Sequence, residues 1–115
     1  MKILWVENNE RFVAVAIPVF LSEHEVTIQP SLSEARAALE QGAFDVVMVD
    51  YDLDDGKGTD LLPALTALEV RPTIIAVSSH EMGNALLRAA GADTICPKAR
   101  FAALKGILQA MTKTP

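Results

Sequence analysis

Four chemically able side chains stand just past the ends of short apolar runs. Glu7 follows Ile3–Val6, Asp50 follows Phe44–Val49, Ser78 follows Thr73–Val77, and Lys98 follows Thr94–Cys96 after one proline. Asn8 and Asn9 continue the first run, Tyr51 and Asp52 the second, Ser79 and His80 the third. Carboxylates held close together repel, and a divalent cation is the usual way to neutralise them. Magnesium suits such hard oxygen ligands: it takes one or two carboxylates, keeps several waters and leaves room for phosphate oxygens. An ammonium and a hydroxyl facing the metal would hold the remaining phosphoryl oxygens. These residue types describe phosphoryl transfer, in which positioning and charge neutralisation do most of the catalysis. Asp50 is the natural carboxylate nucleophile.

That chemistry requires elements that bring distant residues to one edge. The runs at 44–49 and 73–77 are continuous and rich in Val and Ile, as parallel strands covered on both faces are. Ile3–Val6 and Thr94–Cys96 are shorter, and Val26–Gln29 alternates like a strand with one wet face. Helical stretches separate them. Ser31-Leu32-Ser33-Glu34 is a capping box that opens a helix stopping at Gly42. Thr59 is expected to cap a helix running to Glu69, a third helix spans Glu81–Ala90 before Gly91, and a last one spans Arg100–Met111. The first helical stretch contains Pro18, which should kink it at a cost of ~3 kcal/mol or mark where it begins late or breaks early. Five strand–helix units imply an α/β fold, a doubly wound parallel sheet with helices on both faces, in a single domain over 1–115. Ligands of such sheets bind at the carboxyl ends of the strands, which is where Glu7, Asp50, Ser78 and Lys98 fall.

The composition narrows the class. The chain of 115 residues is 50% hydrophobic with a net charge of −5, which excludes disorder and argues against direct nucleic-acid binding. The acid is local: residues 50–60 hold five of the fifteen acids and one lysine. Cys96 is the only cysteine, so neither an internal disulfide nor a cysteine-built metal cluster can form, and it reads as a small buried hydrophobe. The longest apolar run, Phe12 to Leu21, has ten residues and a proline, short of the ~20 a bilayer span needs. Glu7 and Glu10 are wrong for a signal peptide. The expected location is the cytoplasm, without membrane attachment.

The chain resembles the receiver domain of two-component response regulators, over essentially its whole length. Glu7 and Asn8 follow the first strand, Asp50 the third, and Gly58 stands in the loop glycine position. Ser78 matches the hydroxyl position, Gly91-Ala92-Asp93 the turn before the last strand, and Lys98 the lysine. The resemblance implies a flavodoxin-like and CheY-like sheet of order 2-1-3-4-5. It implies that a sensor histidine kinase or phosphotransfer protein passes a phosphoryl group to Asp50. Magnesium or manganese would be held by Asp50, Glu7, Asn8 and the backbone carbonyl of Asp52, with Lys98 and Ser78 taking the phosphoryl oxygens. Tyr51, Ser79 and His80 would border the site and modulate it. Self-phosphorylation and self-dephosphorylation are then the only reactions expected, with no turnover of external substrates. Output would pass to a downstream protein through the face of the last two helices and strand, and homodimerisation is left open. No effector segment is recognised, so the signal is expected to leave through a partner or through a longer regulator.

Three positions depart from the family pattern. Asn8 stands where a directly ligating aspartate is usual, so weak magnesium binding is expected. Ile95 replaces the aromatic switch residue, and the lysine is preceded rather than followed by proline. A second reading is therefore a pseudo-receiver, the same fold used as a phosphorylation-independent docking module. Plainer roles also exist: Asn8 as a helix N-cap, Glu7 as a helix N-terminal acid, Asp52, Asp54 and Asp55 as a solvated acidic rim, Trp5 and Tyr51 as packing residues. One rival motif fails and a second stands only as a remote alternative. An EF-hand reading of Asp50-x-Asp52-x-Asp54 meets Asp55 and Leu61 where glycine and glutamate are needed. A haloacid-dehalogenase-like phosphatase reading of Asp50-x-Asp52 finds no downstream acidic pair.

Overall fold

In a computed structural model, which describes residues 1–112, the strands are β1 (Lys2–Val6), β2 (Glu25–Gln29), β3 (Val46–Val49), β4 (Asp52–Leu53), β5 (Gly56–Lys57), β6 (Thr73–Ala76) and β7 (Thr94–Ile95). The helices are α1 (Glu10–Phe20), α2 (Leu32–Gln41), α3 (Leu62–Thr66), α4 (Glu81–Ala90) and α5 (Leu104–Thr112). Five strands form one sheet in the order β2-β1-β3-β6-β7, every pairing parallel. Counted within that sheet alone, the order is the expected 2-1-3-4-5. β4 and β5 form a separate antiparallel hairpin inside the acidic segment, a feature not expected from the sequence.

The period-two alternation of the strands sorts two cores. Leu4, Val6, Val47, Val49, Ile74 and Ala76 face one way, against Leu32 and Ala35 of α2, Leu62 and Leu65 of α3, and Leu87 of α4. Ile3, Trp5, Val46, Met48, Ile75 and Val77 face the other, against Ala16 of α1 and Leu104 and Leu108 of α5. β3 is buried throughout and β6 from Ile74 onward because helices cover both faces, which is why their sequence is a continuous apolar run. β2 lies at an edge and is half-exposed, as its weaker alternation implies. On the second face Trp5 stacks on Phe101 at 5.4 Å between centroids, and Phe12 meets both edge-on.

Several boundaries differ from the sequence expectation. The strands stop short of the apolar runs at Phe44 and Cys96, because only Val46–Val49 and Thr94–Ile95 find paired neighbours. Thr59 does not cap a helix. Gly58–Leu61 form a 3-10 turn, α3 begins at Leu62 with Pro63 in its first turn, and it ends at Thr66, short of Glu69. The last helix starts at Leu104 rather than Arg100, since Lys98–Ala103 is a 3-10 stretch in which Arg100 leaves helical geometry (φ −129°, ψ 41°). Pro18 neither delays nor ends α1, which runs on to Phe20. The carbonyl that Pro18 cannot satisfy belongs to Ala14, which is exposed, so the lost hydrogen bond falls on the solvent side of the helix. Ser31 does cap α2, its hydroxyl accepting the Glu34 N–H at 3.2 Å. Asp55 completes that cap by accepting from Leu32 N–H (2.6 Å) and Ser33 N–H (3.0 Å). The acidic rim is therefore partly structural: one of its carboxylates closes the N-terminus of another layer's helix.

Gly58 marks the closest approach between backbone segments near the sheet edge. Its N–H donates to Tyr51 O at 2.6 Å, and a Cβ there would lie 2.0 Å from the carbonyl oxygen of Asp50. Gly58→Ala should therefore destabilise the fold by about 3 kcal/mol, read as a lowered urea midpoint. An unchanged midpoint would show that the loop after β3 yields freely.

Candidate functional site

β1 and β3 are paired so that Val6 lies opposite Val49, and the residues that step off them are Glu7 and Asp50. Each is anchored by its own backbone: Glu7 N–H donates to Gln29 O at 2.9 Å, Asp50 N–H to Val6 O at 3.0 Å. Both carboxylates are buried, 1% and 6% exposed. Lys98, just beyond β7, reaches across from the other side of the sheet. Its Nζ donates to Glu7 Oε2 at 2.9 Å and to Asp50 Oδ2 at 3.3 Å, with the ring of Phe12 5.3 Å away on a third side. The same ammonium lies 2.8 Å from Glu7 Oε1 but out of line for a hydrogen bond, and that buried oxygen has no hydrogen-bond partner. Asp50 Oδ1 accepts from Tyr51 N–H at 2.8 Å.

One cation thus serves two buried carboxylates. Burial pushes the Glu7 carboxyl up and the Asp50 charge pushes it further, while the Lys98 hydrogen bond pulls it back; the outcome is about 7 instead of 4.5. Glu7 is therefore more than a helix N-terminal acid, although its Oε2 also accepts the Asn9 N–H at 3.1 Å.

Ser78 joins this group through its main chain. Its carbonyl accepts the Lys98 N–H at 3.2 Å, and its buried hydroxyl oxygen accepts the His80 N–H at 3.1 Å. Other expected residues lie on the rim. Asn8 is exposed and its amide donates to Asp54 Oδ1 at 3.1 Å; the N-cap of α1 is Asn9, whose side chain accepts the Phe12 N–H, so the N-cap reading of Asn8 is corrected. Asp52 is exposed and ion-paired with Lys57, whose ammonium lies 5.1 Å from the centre of the Tyr51 ring. Tyr51 is half-buried against the α2–α4 core, and Ser79 and His80 are exposed.

Three contributors were not singled out from the sequence: Phe12, Gly83 and Asn84. The one local signal was an asparagine inside a helix, a residue type that disfavours helix interiors. Asn84 is 4% exposed and spends both ends of its amide on Ser78.

The donor set fits a hard cation. It has two buried carboxylates that share one ammonium, and the Asp50–Asp52 loop stands beside them. It is also sparse, since no group of three or more His, Cys, Asp or Glu among the described residues is placed for a metal.

A family model for the response regulator receiver domain matches residues 3–106. The chain belongs to the response regulator receiver family. Solved structures agree on the fold. A CheY-like receiver domain from Methylobacillus flagellatus superposes with a TM-score of 0.83 at 24% identity, covering 96% of this chain and 98% of that one. One from Methanospirillum hungatei gives 0.81 at 24%, covering 97% and 94%. The BeF3-activated N-terminal receiver domain of RstA from Klebsiella pneumoniae gives 0.82 at 21%, covering 99% and 100%. No curated protein sequence matches the chain. Among the described residues no helix is long and apolar enough to cross a membrane. Receivers as a family accept phosphoryl groups and generally bind Mg2+.

The buried carboxyl of Glu7 makes this receiver's stability depend on pH. The folded chain holds the Glu7 proton up to about 7, whereas the unfolded chain releases it near 4.5. Between those values the folded state binds more protons, so this contribution to stability falls as pH rises through the window. Glu7→Gln should gain on the wild type across it, by on the order of 2 kcal/mol above the upper value. Urea unfolding in magnesium-free buffer measures this, and a constant difference across the window would contradict it.

Proposed function

We propose that this receiver accepts a phosphoryl group on Asp50 from the phosphohistidine of a sensor kinase or phosphotransfer protein, and that the acyl phosphate alters its protein-binding face. The observation that carries the reading is the Lys98 ammonium within 3.3 Å of Asp50 Oδ2, beside a buried Ser78 whose backbone it shares.

In the transfer, Asp50 Oδ attacks phosphorus, the P–N bond to imidazole breaks, and the imidazole leaves with the bonding electrons. Lys98 already touches the attacking carboxylate, so its charge is in place when negative charge builds on the phosphoryl oxygens. Among the described residues Ser78 Oγ accepts the His80 N–H, and its hydroxyl proton would donate to a phosphoryl oxygen. Glu7, Asp50 and the Asp52 carbonyl would hold Mg2+, whose charge would shield the carboxylate–phosphate repulsion. Asn8 brings an amide where a second direct carboxylate would serve, so binding would be weak.

The downstream partner is assigned to the face of α4, β7 and α5. On α4 Met82 (70% exposed) and Leu86 (40%) are open to solvent, and a groove of about 590 Å³ between α4 and the segment after β7 is lined by Ser79, Glu81, Ile95, Pro97 and Arg100. Ile95 is half-buried there, so any readout works without an aromatic flip.

A second reading, phosphorylation-independent docking, draws on one observation: the Asn8 amide is engaged with Asp54 and adds no charge to the site. Intact mass after incubation with acetyl phosphate and Mg2+ separates the two. The wild type should gain one phosphoryl group and Asp50→Asn none; no gain on the wild type at saturation would favour the docking reading. Lys98→Ala should slow the gain by about 10²-fold. Asn8→Asp should tighten Mg2+ by about tenfold, since one more carboxylate faces the cation. Trp5 emission is the readout, because Phe12 touches both Trp5 and Lys98. Unchanged affinity in Asn8→Asp would remove position 8 from the metal set.

A further inference from the structure

We infer that Asn84 is a positioning residue for Ser78, an inference that rests on the phosphoryl-acceptor reading of this site. Asn84 occupies the fourth position of α4 and is 4% exposed. Its Oδ1 accepts the Ser78 N–H at 2.9 Å and its Nδ2 donates to the Ser78 carbonyl at 3.0 Å. A buried primary amide that grips both backbone groups of one residue fixes the peptide planes on either side of it, and with them the direction of the Cα–Cβ bond. The hydroxyl is thereby left a single freedom, rotation about that bond, and the His80 N–H hydrogen bond selects among its rotamers.

The surroundings make the grip specific. Gly83 lets the helix come close: a Cβ there would lie 2.8 Å from Tyr51 Cβ and 3.0 Å from Ser78 Oγ. α4 is thus seated directly on the residue after Asp50 and on the hydroxyl itself. The Ser78 carbonyl that Asn84 holds also accepts the Lys98 N–H at 3.2 Å. Ser78 N–H donates within a buried environment only because Asn84 supplies an acceptor from another element. An aliphatic residue at 84 would leave that donor unpaired, a penalty that backbone rearrangement relieves by turning Ser78 away. Asn84 touches no reacting atom; it acts through the hydroxyl it aims.

A double-mutant cycle tests this with acetyl phosphate and Mg2+, read as the initial rate of phosphoryl gain by intact mass. Asn84→Asp keeps the shape and the acceptor but removes the donor, and Asn84→Ala removes both. Each should slow the reaction by about tenfold, with the urea midpoint measured alongside to exclude unfolded protein. In a Ser78→Ala background, the same substitutions should cost no more than about twofold, because there is no hydroxyl left to aim. Mg2+ affinity by Trp5 emission should stay unchanged. If the losses multiply in the Ser78→Ala background, Asn84 acts on the fold and not through Ser78, and the proposal fails. If Asn84→Ala does not fold, Asn84→Asp alone carries the cycle. A wild type that gains no phosphoryl group removes the acceptor reading and this inference together, an outcome distinct from multiplying losses in an active wild type.

Discussion

The site depends on one ammonium between two buried carboxylates. Glu7 and Asp50 leave adjacent parallel strands at the same edge, so the sheet itself forces their charges together. Lys98 offsets that repulsion from across the sheet, and it does so incompletely: one Glu7 oxygen keeps no hydrogen bond and the Glu7 proton is held to about 7. On the proposed reading, a bound cation would supply the positive charge that is short there. Water is largely excluded, so each electrostatic contact there is worth more than it would be on the surface.

Around this centre, secondary elements serve as supports. α1 brings Phe12 to the third side of the ammonium and ties it to Trp5 and Phe101. α4 is seated on Tyr51 and Ser78 through Gly83 and Asn84, and the loop after β3 is pressed onto Asp50 at Gly58. The acidic segment divides its labour: Asp55 closes α2, Asp52 pairs with Lys57, and Asp54 engages Asn8. Its concentrated charge is thus consumed by several local contacts instead of forming one anionic patch.

Asn8 and Ile95 give this receiver its individual character. The amide at position 8 adds no charge to the carboxylate edge, and with an aliphatic residue at 95 the aromatic cluster of the domain lies under α1 and α5, where Trp5, Phe12 and Phe20 surround Phe101. On α4 Met82 and Leu86 remain exposed, and they would offer apolar surface to the partner proposed for that face.

Much of this was legible in the sequence. Buried parallel strands must be continuous apolar runs, and the residues that end them must line the sheet's carboxyl edge; that logic alone placed Glu7, Asp50, Ser78 and Lys98 together. The Ser31 cap was equally local and equally plain. What remained hidden was non-local. That Asp55 would cap a helix starting at Leu32, that Asn84 would grip Ser78, and that Phe12 would face Lys98 depend on how layers pack, and no spacing records it. The starts of α3 and α5 escaped for a related reason: 3-10 turns and helix share the same residue preferences, and only the packing of Leu61, Leu62, Phe101 and Leu104 against the sheet decides where one becomes the other. Period and residue type determined the sheet and its edge, while tertiary packing decided which partners the polar groups there would find.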